Sequence, residues 1–283
     1  MSQSTLADYI FEHIAEISWQ EEELNICADQ NQLHCCLGIS PSQFRRLMST
    51  RQESVDTNEQ AVVYARTAIQ YALERMRFAR DSCQISLMVL IVDEIQQYNY
   101  AVFNNKQIKT GVARKYALEE GDRLLKIFSE AHSQLSSELA QRVIILRWQD
   151  IHDDRYEKCV AAVRSHLLIS ETFRLLVDAT VQHYIDVRKP NGTLSAMKRE
   201  ILQEYVLYEL PALLRGLDYD GQRYSVIIHP ILTYSSQANS HQRNGLIHLL
   251  EYVRNSAVLC EKMGVDQPSD ICTIYDIDMP LPL

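Results

Sequence analysis

Two stretches of the sequence carry residue types that could do chemistry. The first is Gln32-Leu33-His34-Cys35-Cys36-Leu37-Gly38-Ile39-Ser40-Pro41-Ser42-Gln43-Phe44, where an apolar run ends at a Gly-x-Ser and a proline follows at once. Leu33 to Ile39 predicts a buried strand, Gly38 would let the backbone pass close to a neighbour, and Ser40-Pro41 predicts a helix start. The Ser40 hydroxyl would then stand at the carboxyl end of a strand, where open α/β sheets bind ligands. Two readings of Ser40 stay open. It is a nucleophile, or it is a helix cap whose box is completed by Pro41 at the first helical position and Gln43 at the third.

The second stretch is the helix predicted over Ser195 to Leu214. Leu202, Tyr205, Glu209 and Leu213 fall on one face of it, so a carboxylate interrupts an apolar stripe four residues after a tyrosine. Burying Glu209 without a partner would cost several kcal/mol. A ligand ammonium would be such a partner, with Tyr205 hydrogen bonding beside it; an arginine or solvent at the stripe's edge would be another. Pro211 cannot donate to the helical ladder and should bend the segment. A third candidate is His229, at the end of the strand predicted from Tyr224 to Ile231. A histidine there serves as a proton shuttle for a serine or as a hydrogen-bonded structural residue.

These residues need elements to hold them, and 283 residues are enough for one large α/β domain. An acidic amphipathic helix is predicted over Thr5 to Leu24, as an accessory to the body. Helices follow over Gln60 to Arg80, Lys109 to His132, Tyr156 to Val187 and Gln242 to Met263, with a tyrosine-rich loop around Tyr98 and Tyr100. Ile85 to Val92 and Val143 to Trp148 read as further strands, and unbroken apolar strands separated by helices predict a parallel sheet. Residues 266–283 read as an acidic tail.

Several chemistries are excluded. The seven cysteines, at 27, 35, 36, 83, 159, 260 and 272, form no Cys-x-x-Cys and suggest neither a zinc site nor a disulfide framework. Gly38-Ile39-Ser40-Pro41-Ser42 lacks the second glycine of a hydrolase elbow, and there is no dinucleotide fingerprint or Walker loop. No apolar run spans a membrane and no base precedes Arg45, so a signal peptide is not expected and a cytoplasmic location is. The net charge of −9 is concentrated at the ends: residues 1–44 hold seven acids and no base, and residues 266–283 hold four acids and no base. The nearly neutral body between them is compatible with tRNA.

Ser40, Tyr205 and Glu209 on this order of elements resemble the cyclodipeptide synthases. The resemblance spans about residues 30–235. It also rests on Val89-Leu90-Ile91-Val92-Asp93, Ala117-Leu118-Glu119-Glu120-Gly121-Asp122-Arg123-Leu124, Leu146-Arg147-Trp148-Gln149-Asp150-Ile151, Phe173-Arg174 and Tyr205-Val206-Leu207-Tyr208-Glu209-Leu210-Pro211. It implies a Rossmann-like fold similar to class I tyrosyl- and tryptophanyl-tRNA synthetase catalytic domains. It further implies two aminoacyl-tRNAs as substrates, no cofactor, no metal, no membrane and a monomer.

On this resemblance Ser40 would take the first aminoacyl group as an ester, Tyr205 and Glu209 would hold its α-ammonium, and the group would pass to the second aminoacyl-tRNA before cyclising. Cys36, Gly38, Leu90, Val92 and Leu213 would line the first side-chain pocket, with Gln43 and Tyr234 also at the substrate. Lys109, Arg114, Lys115, Arg123 and Lys126 would face tRNA. The family's catalytic tyrosine falls at His229, which leaves His229, Tyr234 or Tyr275 for the proton relay. Pro230 and the lack of Asn at Gln43 place the chain nearer the proline-type subfamily. A non-catalytic aminoacyl-tRNA-binding protein and a small-ester serine hydrolase using Ser40 and His229 remain alternatives.

Overall fold

The computed structural model describes residues 32–42, 44–45, 57–79, 84–103, 110–188, 194–231, 249, 252–265 and 273–278. The helix predicted over Thr5 to Leu24 lies outside them. Five parallel strands form the central sheet: Gln32–Ile39 (β1), Gln84–Ile91 (β2), Val143–Arg147 (β3), Val226–Ile231 (β6) and Thr273–Asp278 (β7), in the order β3-β2-β1-β6-β7. A two-stranded antiparallel ribbon, Leu217–Tyr219 (β4) with Gln222–Tyr224 (β5), precedes β6. The fold is α/β, with a parallel sheet flanked by helices.

Side-chain alternation sorts each strand between two layers. Leu33, Cys35, Leu37 and Ile39 of β1 pack with Ile85, Leu87, Val89 and Ile91 of β2 against Thr57–Ala79 (α1) and Thr110–Ser133 (α3). Cys36, Met88, Leu90 and Ile227 turn to the other face. They join a core built with Gln96–Phe103 (α2), Asp154–Ile169 (α5), Glu171–Arg188 (α6) and Ala196–Arg215 (α7). Two short helices, Ser137–Ala140 (α4) and Ala257–Met263 (α8), are also present among the described residues.

From β1 the chain winds outward through α1 to β2 and through α3 to β3, then returns through α5, α6 and α7 to β6 on the far side of β1. The winding therefore reverses between β1 and β6. That reversal opens a crevice beyond the carboxyl ends of these two strands, where folds of this kind seat a ligand.

Five elements differ from the sequence expectation. The tyrosine-rich loop is the helix α2, because Gln96, Asn99, Ala101 and Val102 turn inward and are buried. The long helix over 156–187 is two helices. Ser170 is extended (φ −110°, ψ 112°), and its Oγ accepts from the Phe173 N–H at 3.2 Å to begin α6. Asp220-Gly221 turns the β4–β5 ribbon with φ of 49° and 71°, the left-handed pair that closes a tight hairpin. Finally, Thr273–Asp278, inside the stretch read as an acidic tail, is the edge strand β7. The helix predicted over 242–263 is interrupted at Asn255 and Ser256, after which α8 begins.

Candidate active site

Ser40 follows β1 directly and is 8 % exposed. Its carbonyl accepts from the Phe44 N–H at 3.0 Å, so it opens the helical turn containing Pro41, Ser42, Phe44 and Arg45. The backbone half of the capping reading is therefore present. Its side chain belongs to a second pattern: Ser40 Oγ lies 3.2 Å from Ser42 Oγ, and Ser42 Oγ donates to Gln96 Oε1 at 3.3 Å. Asn99 Nδ2 donates to the same oxygen at 3.0 Å. On the neighbouring strand Ile228 pairs with Leu37, which puts the backbone of His229 at the level of Gly38. The next strand sets Tyr275 level with Ile228.

Tyr205 and Glu209 enter from α7. Tyr205 is buried, and Glu209 is half-buried. Tyr184, from α6, donates its hydroxyl proton to Tyr205 Oη at 3.1 Å, which leaves the Tyr205 proton for another acceptor. Burial first, then the charge of Glu209, holds the Tyr205 phenol well above its ordinary pKa. The same two causes raise Tyr156. Tyr184 is also raised, by burial first and in part by Glu209, although the Arg188 guanidinium 4.8 Å from its ring opposes the shift. One carboxylate thus acts on three neutral tyrosines.

The residues expected around the first pocket share this side of the sheet. Cys36, Leu90 and Tyr205 belong to one core cluster, and Val92 and Leu213 pack against it. Gly38 corrects one expectation. A Cβ there would meet Val92 Cγ2 at 3.6 Å, an ordinary contact, and its φ is not positive. Among the described residues no close backbone approach demands glycine, so its missing side chain leaves open room beside Val92.

The basic helix looks different in its surroundings. Arg114, Lys115, Arg123 and Lys126 are exposed on α3, yet Arg114 pairs with Glu94 (2.6 Å), Lys115 with Glu119 (3.8 Å) and Arg123 with Glu120 (3.0 Å). Glu120 also binds Arg45 at 2.7 Å. The acids lie inward of the bases: Glu120 and Glu94 are 14 % exposed, while Arg123 and Arg114 are 75 % and 56 % exposed.

Sequence reasoning missed a buried knot beneath this helix. Arg147, at the end of β3, donates to Asp93 Oδ2 through Nε at 2.6 Å, to Asp122 at 2.6 Å and to the Leu118 carbonyl at 3.1 Å. It ties together three of the segments singled out above. Ser42, Gln96, Asn99 and Tyr184 were missed as well. For Gln96 and Asn99 the available signal was two amides one helical turn apart.

Lys109, Gln43 and Tyr234 lie outside the described residues. Among the described residues no group of three or more His, Cys, Asp or Glu could hold a metal ion, and no helix is long and apolar enough to cross a membrane.

No protein-family model matches the sequence, and no curated protein matches it. Solved structures do match. A structure described as a CDPS (cyclodipeptide synthase), from Fluoribacter dumoffii, aligns at a TM-score of 0.53 and 14 % identity, covering 92 % of this chain and 94 % of that one. A cyclodipeptide synthase from Bacillus thermoamylovorans aligns at 0.49 and 16 % identity, covering 88 % of each chain. A Mycobacterium tuberculosis protein, described in connection with cyclodipeptide synthetases being related to type I tRNA synthetases, aligns at 0.48 and 12 % identity, over 79 % and 81 %. The first of these establishes a shared fold across nearly the whole of both chains.

Proposed function

We propose that the chain is a tRNA-dependent cyclodipeptide synthase, an aminoacyltransferase that joins two aminoacyl groups into a diketopiperazine through an aminoacyl-Ser40 enzyme. One observation carries the reading: Ser40 is a nearly buried hydroxyl at the β1/β6 switch point of a fold that a CDPS structure matches over 92 % of this chain. Tyr205 and Glu209 on the same side of the sheet support it, because they offer a cation site where a substrate ammonium is needed.

In this reading Ser40 Oγ attacks the ester carbonyl of the first aminoacyl-tRNA. A seryl ester forms, and the tRNA leaves as its hydroxyl, taking up the proton. Glu209 and Tyr205 hold the α-ammonium, and the aminoacyl side chain lies beside Gly38 among Cys36, Leu90, Val92 and Leu213. The amine of the second aminoacyl-tRNA then attacks the seryl ester, freeing Ser40 and forming a dipeptidyl-tRNA. Its own terminal amine attacks the remaining ester, closing the ring and releasing the second tRNA.

His229 carries the proton relay in this scheme, with Tyr234 and Tyr275 as the other candidates. Pro230 and the lack of Asn at Gln43 favour a chain nearer the proline-type subfamily. Lys109, Arg114, Lys115, Arg123 and Lys126 face the tRNA phosphates, and the chain works as a cytoplasmic monomer.

Incubation with a bulk tRNA pool charged with the full set of protein amino acids should yield a diketopiperazine detectable by mass spectrometry. Glu209→Gln should lower the yield by roughly 100-fold without a change in Tm, as expected for losing the charged partner of a buried ammonium. Binding of the pool without any diketopiperazine, or burst release from an activated ester without tRNA, would contradict the proposal.

A further inference from the structure

The polar chain behind Ser40 has a direction. Gln96 Oε1 is an acceptor only, so the Ser42 hydroxyl gives its single proton to it across 3.3 Å. Ser42 Oγ then has only lone pairs left for Ser40, 3.2 Å away, and that contact must be filled by the Ser40 proton. Asn99 Nδ2 donates to the same Gln96 oxygen at 3.0 Å and steadies the amide. Gln96 and Asn99 are each 2 % exposed, so water does not compete for the shared oxygen.

We infer that Ser42 is a positioning residue for Ser40: anchored on Gln96 and Asn99, it holds the Ser40 O–H in one rotamer, so that the hydroxyl meets the substrate in a fixed orientation. The inference rests on Ser40 being the nucleophile. Ser42 is not the base of the reaction. A primary amide takes up no proton near neutral pH, so the chain ends in a group that holds the proton's direction and cannot receive it. The Ser40 proton still leaves with the departing tRNA hydroxyl. What the chain supplies is orientation, which lowers a barrier without changing which groups titrate. No residue type in the sequence marks this role, because Ser42 and Gln96 are 54 positions apart.

The test is the single-turnover rate of aminoacyl-enzyme formation, followed by intact mass with the bulk charged tRNA pool as probe. Ser42→Ala should slow the saturating rate roughly tenfold, with the half-saturating tRNA concentration and the pH profile unchanged. Ser42→Thr, which keeps the hydroxyl, should restore the rate to within about twofold. Gln96→Ala added to Ser42→Ala should cost nothing further, because Gln96 acts only through Ser42. If Gln96→Ala lowers Tm sharply, the comparison of Ser42→Ala with Ser42→Thr decides alone.

An unchanged rate in Ser42→Ala, or a loss confined to half-saturation, would overturn the positioning role while the Ser40 adduct itself stands. Absence of an adduct in the wild-type protein, or its persistence in Ser40→Ala, would overturn the nucleophile and this role together.

Discussion

At Gly121 a Cβ atom would stand 2.1 Å from Asp93 Oδ2. That oxygen cannot move aside, since Arg147 holds it through Nε at 2.6 Å and Asp93 is fully buried. Gly121→Ala must therefore push apart a buried ion pair, and chemical denaturation should show a loss of about 3 kcal/mol or more. Gly38 is the contrasting case. An added methyl there meets only Val92 at 3.6 Å, so Gly38→Ala should fold with stability within about 1 kcal/mol of wild type. On the proposed reading it should still impair aminoacyl transfer, because the methyl enters space the substrate occupies. Equal loss of stability in both variants would contradict this distinction between a packed glycine and an open one.

Among the elements, β1, β2 and α7 were legible because their apolar periodicity is strong and their ends carry Ser40, Asp93 and Gly216. The break at Ser170 was not, since the stripe Val160, Val163, Phe173 and Val177 continues across it into the same core. The serine's capping bond to Phe173 and its 2.9 Å contact with Tyr252 mark the junction. Ser170→Ala should accordingly cost about 1 kcal/mol in thermal unfolding, the worth of a helix cap. Strand β7 escaped notice for a different reason. It pairs with β6, and its acids read as a tail when no partner strand is known. The α2 helix was hidden by its polar composition, since its buried face includes two amides whose partners come from Ser42 and from each other.

On the scale of the whole molecule, the site is assembled from parts that sequence order keeps distant. Ser40 follows β1 and Glu209 lies on α7, and the return of the chain through α5, α6 and α7 to β6 packs Tyr205 of α7 into the core layer that holds Cys36 of β1. Their joint site is proposed on the family resemblance, because periodicity locates residues on an element and not elements on each other.

Charge shows the same limit. The bases of α3 seemed a basic face, yet Arg114, Lys115 and Arg123 each have an acidic partner, so the field of this face depends on exposure rather than on net charge. If three of them contact phosphates, doubling the salt concentration should raise KM for aminoacyl-tRNA about four- to six-fold; a salt-independent KM would remove α3 from the tRNA surface.

The most direct test of the whole account is the intact mass of the chain after mixing with charged tRNA. The account predicts a mass increase of one aminoacyl group, mapped by peptide fragmentation to Ser40 and absent in Ser40→Ala. A diketopiperazine formed at the wild-type rate by Ser40→Ala, with no adduct on any residue, would contradict it.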